Sequence, residues 1–193
     1  MSAHPTGTHS FDPALRSQLK FSEDAMATIQ KIISRYPEGK SKSALLPILH
    51  IAQAENEGWL SPEAMDLVAQ ILGIQAIEVF EVASFYSMYN LQPVGKCHLE
   101  VCRTSSCWSR GAEDIVDYIS KKLNIKVGET TPDGMFTLKT VECLGSCGSA
   151  PMLQCGAEYH ENLTEAKVDA LLDRFRSENK RHNYTDLDYK NSK

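Results

Sequence analysis

Four of the six cysteines fall into two close pairs, Cys102 with Cys107 and Cys143 with Cys147. The first pair is C-x4-C and the second C-x3-C. Cysteine thiolates are soft metal ligands, and two pairs on two loops can supply the four sulfurs of one centre. Leu99, Glu100 and Val101 lead into Cys102 as a strand-like run, and residues 136–141 lead into Cys143 in the same way. Each pair is therefore expected on a loop at the end of a strand. Three chemistries compete here. A structural zinc takes four thiolates in a tetrahedron, its paired ligands usually two to four residues apart. An iron–sulfur cluster also takes four cysteine thiolates, and plant-type ferredoxins use C-x4-C within a longer pattern. A disulfide framework is the third. The chain carries no signal peptide, so a reducing compartment is expected, where stable disulfides are rare. Neither pair is a C-x-x-C knuckle, and longer loops suit a bulkier two-iron centre. Spacing favours a cluster and leaves zinc open.

Other polar and aromatic residues read as structure. Glu78 and Glu81 are a solvated helix face. His50, beside Ile48, Leu49 and Ile51, reads as a hydrogen-bonded structural histidine. Trp59, Phe85 and Tyr86 read as packing. Cys97 shares a strand face with Leu99 and Val101 and reads as a small buried hydrophobe. Cys155 is likewise a structural thiol. His4 and His9 have no partner at a ligand spacing. No G-x-G-x-x-G motif or P-loop occurs, so nucleotide chemistry belongs to another chain.

The elements around the cysteines are legible in outline. The 193 residues are 42% hydrophobic, enough for a packed core, with a net charge of −5. No basic cluster marks a nucleic-acid surface. No apolar run approaches the roughly 20 residues that span a bilayer, so any membrane association runs through a partner. Ser22 is an N-cap before Met26, Ile29, Ile32 and Ile33 at helical spacing. A second helix carries residues 45–52 and starts near Pro47. Ser61, Pro62 and Glu63 form a helix start, with Met65, Val68, Ala69 and Leu72 inward and Gly73 as the stop. A fourth helix carries Ile77, Phe80 and Ala83, completing a small bundle. Pro93 and Gly95 mark a boundary. Beyond it come an alternating strand from Cys97, a helix with Ala112, Ile115, Ile119 and Leu123, and a strand over residues 137–141. A hairpin around Gly156 and a helix opened by Thr164 follow, the latter with Val168, Leu171, Leu172 and Phe175. The order strand, helix, strand, strand, helix is compatible with a mixed sheet. Residues 1–20 read as a flexible tail, and residues 179–193 as a polar tail, frayed or draped over a partner.

Residue identity adds to spacing. The stretches VECLGSCGSAPM (residues 141–152) and VCRTSSCWSRGA (residues 101–112) resemble one family. It is the thioredoxin-like two-iron, two-sulfur subunit of NADH:quinone oxidoreductases, the E subunit of bacterial complex I. Residues 93–96, 127–134, 45–53, 58–60 and 81–86 resemble it as well, and the likeness runs collinearly over about residues 20–178. It implies an α+β fold: a helical bundle over residues 21–92, then a thioredoxin-like ferredoxin domain with a mixed sheet over residues 93–178. It further implies one [2Fe-2S] cluster on Cys102, Cys107, Cys143 and Cys147. Gly145 and Gly148 read either as positions where backbone N–H groups approach the sulfurs or simply as turn residues. The implied partners are a flavoprotein subunit that holds FMN, oxidises NADH and carries its own cluster, and a neighbouring iron–sulfur subunit. The docking element would be the helical region. The implied place is cytoplasmic, peripheral on the inner membrane face through the complex. Turnover belongs to that complex. Similar modules serve NAD-linked hydrogenases and formate dehydrogenases. A zinc-stabilised interaction domain is the rival outside redox chemistry. A thiol–disulfide oxidoreductase would need a C-x-x-C motif that is missing.

Overall fold

The computed structural model describes residues 19–184. The tail reading of residues 1–18, with His4 and His9, and that of residues 185–193 lie outside the described residues. Four helices come first: α1 (Glu23–Ile33), α2 (Leu45–Glu55), α3 (Pro62–Leu72) and α4 (Ala76–Phe85). Their boundaries follow the capping chemistry. Ser22 Oγ accepts from the Ala25 amide at 3.2 Å, and Ser61 Oγ from the Ala64 amide at 3.1 Å. Pro62 sits in the first turn of α3, and Gly73 closes that helix in the left-handed region at φ 66°. A 3-10 turn over Ser41–Ala44 feeds α2, so Pro47 falls in its first turn, where its missing N–H breaks no helical bond. Ile29, Ile48, Leu49, Ile51, Leu60, Val68 and Val79 are fully buried in a core of their own.

The inward face of α4 departs from the sequence reading. Val79 and Ala83 are its buried residues. Ile77 and Phe80 are 60% and 46% exposed, and beyond them Phe85 is 80% and Tyr86 37% exposed. Phe85 and Tyr86 thus stack edge-on against each other at 5.0 Å on the outside instead of filling the core. The cause is position: α4 lies at the bundle margin and packs through one narrow stripe. Trp59 is half-buried, as a packing residue should be.

The second half contains β1 (Cys97–Cys102), a single turn α5 (Ser105–Trp108), α6 (Ala112–Leu123), β2 (Phe136–Val141), β3 (Leu153–Cys155), β4 (Glu158–His160) and α7 (Glu165–Glu178). The sheet order is β2-β1-β3-β4, with β1 and β2 parallel and the other two pairings antiparallel. The hairpin contributes two strands, so the order has one strand more than the sequence reading counted. Ile115, Ile119 and Leu123 of α6, and Val168, Leu171, Leu172 and Phe175 of α7, pack on the face that carries Cys97, Leu99 and Val101. The molecule is α+β with a mixed sheet.

Two local expectations are corrected. Strand β1 does not alternate between core and solvent, because all six of its residues are buried. It is an interior strand, and residues 87–95 cover its second face. There Lys139 Nζ pairs with Glu100 at 3.3 Å and donates to the Ser87 carbonyl at 2.6 Å. Burial, with Lys139 adding to it, pushes the His98 pKa down to about 3, so that ring is neutral. His50 is not a hydrogen-bonded histidine at Nδ1, which is buried without a partner among the described residues. Its ring packs against Tyr89 and Tyr184 at 5.0 and 6.0 Å, and burial lowers its pKa.

Residues 179–184 make ordered contacts within the chain. They lie along the chain's own surface. The His182 amide donates to the Lys96 carbonyl at 2.9 Å, and Arg181 Nη1 donates to the Gly95 carbonyl at 2.9 Å. The His182 ring packs on Phe175 at 4.5 Å. A polar composition hid this segment, whose partners include backbone carbonyls, the Glu178 carboxylate and the rings of Phe175 and His50.

Candidate metal centre

Cys102 stands level with Val141 across the parallel β1–β2 pair. Parallel neighbours end on the same sheet edge, so the two cysteine loops leave side by side. The first loop is closed at once by α5, whose turn is tied by Trp108 N to Thr104 O at 2.8 Å and Ser109 N to Ser105 O at 2.9 Å. That turn brings Cys107 back beside Cys102. The second loop reverses at Gly145, φ 81°, a conformation costly for a residue with a Cβ. A 3-10 turn over Cys147–Ser149 follows.

The two pairs have opposite exposure. Cys102 and Cys107 are 2% and 1% exposed and rest with Ala112, Ala150 and Met152 in a small apolar bed, against which Leu144 packs. Cys143 and Cys147 are exposed, with sulfurs 4.0 Å apart. Burial opposes ionisation of Cys102. Hydrogen bonds from the Thr104 hydroxyl, 3.4 Å away, from the Thr104 and Leu144 backbone and from Cys107 outweigh it and hold that thiol below its ordinary range. Leu144 belongs to the second loop, so a backbone contact joins the two loops. Burial, with Cys102 and then Cys147 nearby, pushes the Cys107 thiol up to about 11, against one backbone hydrogen bond from Met152. A metal must displace that proton.

All six cysteines are free thiols. The donor set therefore fits a thiolate-ligated centre: two pairs, on adjoining loops, over an apolar floor. Among the described residues, no three His, Cys, Asp or Glu side chains are gathered closely enough to hold a single ion. The geometry is two pairs and not one closed quartet. Arg110, a nearby cation whose direction the sequence leaves open, donates from Nε to the Ala150 carbonyl at 3.1 Å and so anchors the floor. The Arg103 side chain lines a surface cavity with Glu113 and Asp117.

The exposed loop is braced by residues that spacing does not single out. Tyr159 of β4 donates from its hydroxyl to the Leu144 carbonyl at 2.7 Å. Glu161 accepts from the Ser146 hydroxyl and from the Ser149 hydroxyl, the latter at 2.5 Å, and the Asn162 amide donates to the Ser149 carbonyl at 2.7 Å. These contacts cross about a dozen residues of chain, and no local motif signals them. The only cue in the sequence is two serines flanking Cys147 with a carboxylate just past a hairpin.

Cys97 and Cys155 are both fully buried and interact with each other on the α6–α7 face of the sheet, away from the loops. The Cys97→Ala, Cys155→Ala double variant is expected to keep iron and sulfide at the parent ratio. Its stability should fall by about 1 kcal/mol per lost sulfur, the order of a small core truncation. Loss of half or more of the iron from a folded double variant would reassign one of them to the centre.

A mixed sheet whose two parallel strands end in paired-cysteine loops defines a class, an α+β domain that presents two thiol pairs on adjoining loops. The chain belongs to the thioredoxin-like [2Fe-2S] ferredoxin family, whose model matches residues 29–176. It is 45% identical over 155 residues to the E subunit of NADH-quinone oxidoreductase from Rickettsia typhi, covering 80% of this chain and 91% of the relative. It is 43% identical over 157 residues to the mitochondrial NADH dehydrogenase [ubiquinone] flavoprotein 2 of Dictyostelium discoideum, covering 81% of this chain and 64% of that one. Among solved structures, an NAD+-reducing [NiFe]-hydrogenase in the H2-reduced state superposes with a TM-score of 0.61 at 20% identity. That match covers 69% of this chain and 22% of the hydrogenase chain, a likeness of fold.

Proposed function

We propose that the chain is an electron-transfer subunit of an NADH:quinone oxidoreductase, with Cys102, Cys107, Cys143 and Cys147 as the ligands of one [2Fe-2S] cluster. The observation that carries this reading is the placement of two cysteine pairs side by side on one sheet edge, in a chain 45% and 43% identical to E subunits of that enzyme. Such a cluster supplies reversible one-electron chemistry. The protein's own part is to hold the buried pair on a dry floor and present the exposed pair outward. A redox partner therefore approaches from the Cys143–Cys147 side. The identity favours the quinone oxidoreductase over the equivalent subunit of an NAD-linked hydrogenase, where only the fold is alike.

The reading divides the labour. Residues 93–178 carry the centre, and the helical bundle of residues 21–92 docks on a flavoprotein subunit that holds FMN and binds NADH. A neighbouring iron–sulfur subunit receives the electron onward. Among the described residues no helix is long and apolar enough to cross a membrane. Attachment to the cytoplasmic side of the membrane would come through the complex.

The test is reduction under argon. The purified chain should keep its visible absorption and stay EPR-silent with excess NADH, and it should bleach with dithionite. Reduction of the isolated, flavin-free chain by NADH would overturn the carrier reading. A colourless preparation with zinc in place of iron would overturn the cluster.

A further inference from the structure

A carboxylate from just beyond β4 closes on the exposed cysteine loop. Glu161 is itself exposed, yet its Oε1 takes the hydroxyls of both Ser146 and Ser149, which are 2.7 Å from each other. The two serines flank Cys147, one on each side. Lys167 makes no direct ion pair with the carboxylate, its ammonium donating instead to the Glu161 carbonyl oxygen at 3.3 Å. The two hydroxyl donors hold the Glu161 pKa below the ordinary carboxylate range, Ser146 contributing most. A negative charge therefore stands against the loop that carries Cys143 and Cys147, held there through Ser146 and Ser149.

We propose that Glu161 positions the second cysteine pair and, by its charge and its claim on two hydroxyls, lowers the reduction potential of the centre. This inference rests on the four-cysteine cluster reading above. One-electron reduction adds one negative charge and makes or breaks no bond. A fixed carboxylate nearby disfavours that charge. Hydroxyl groups free to donate to cysteine sulfur would favour it, since hydrogen bonds to the sulfurs raise such potentials. Glu161 holds both hydroxyls away from that use. The two effects have the same sign.

Glu161→Gln separates charge from bracing, because the amide oxygen still accepts a hydroxyl. The full-length chain, reconstituted anaerobically with iron and sulfide, is titrated with dithionite and redox mediators and followed by EPR. E161Q is expected to shift the midpoint potential upward while iron release to a chelator stays at the parent rate. Glu161→Ala should shift it upward at least as far, because both hydroxyls are then free. Tyr159→Phe, which cuts the brace to Leu144 and leaves the carboxylate, should speed iron release with no upward shift. An unchanged or lower potential in E161Q overturns the proposal. So does loss of iron from both E161Q and E161A, which would leave Glu161 a brace alone. A parent chain that binds no iron and shows no visible absorption instead sinks the cluster reading beneath it.

Discussion

Alanine at Cys107 is expected to leave a folded chain with at least about tenfold less iron, because a site that couples metal binding to its local fold loses a ligand it cannot replace. Cys107 is 1% exposed, and its surroundings are Ala112, Ala150 and Met152. Neither water nor a neighbouring oxygen can stand in. Cys102 is nearly as closed, at 2% exposure, with the Thr104 hydroxyl 3.4 Å from its sulfur. Cys143 and Cys147 differ because solvent reaches them. Alanine there should also remove the two-iron absorption, but serine should retain part of the iron with a shifted spectrum, since an exposed oxygen ligand is feasible. Cys107→Ser should not be rescued in that way. Iron per chain, visible spectra and dithionite-reduced EPR on the alanine and serine series measure this. A full, unaltered signal in any one alanine variant would remove that residue from the ligand set. Equal rescue by serine at buried and exposed positions would contradict the two-sided geometry.

The difference between the two loops also marks how much of the site is legible in the sequence. Cysteine spacing announces two loops, and strand-like runs ahead of each place them at strand ends. Their adjacency requires knowing that β1 and β2 are parallel neighbours, and the intervening α6, with its clean Ile115, Ile119 and Leu123 stripe, is what makes a parallel connection feasible. The starts of helices α1, α3 and α7 are legible because serine and threonine caps are local chemistry. Helix α4 is evident in the sequence, but its face is not, since Ile77, Val79, Phe80 and Val82 are all apolar and no stripe stands out. His98 and Glu100 look solvent-facing because alternation cannot reveal that a second body covers the polar face. The brace of Tyr159, Glu161 and the two serines is a tertiary contact between short polar segments, and no period or motif encodes it.

The apolar surface that α4 leaves uncovered bears the second large effect. Ile77, Phe80 and Phe85 lie along the outer side of the helix and Tyr86 caps it, at 60%, 46%, 80% and 37% exposure. Clustered exposed aromatics of this kind mark interfaces, and buried aromatic anchors dominate binding energy. On the reading proposed above, the surface that covers them belongs to the flavoprotein subunit. Phe80→Asp with Phe85→Asp is expected to weaken that association by about 30-fold per residue, the equivalent of roughly 2 kcal/mol for each anchor. Both side chains are largely outside the core, so the visible spectrum and thermal midpoint of the double variant should match the parent. Val127, 46% exposed near the start of the α6–β2 connection, supplies the control. Val127→Asp adds a comparable charge to an apolar position in the other half of the chain and should leave binding intact. Titration calorimetry of each variant against the purified flavoprotein subunit decides the matter. Parent-like affinity in the Phe80 and Phe85 double variant would move the interface off α4. A parent chain that fails to bind at micromolar concentration would remove the docking assignment itself.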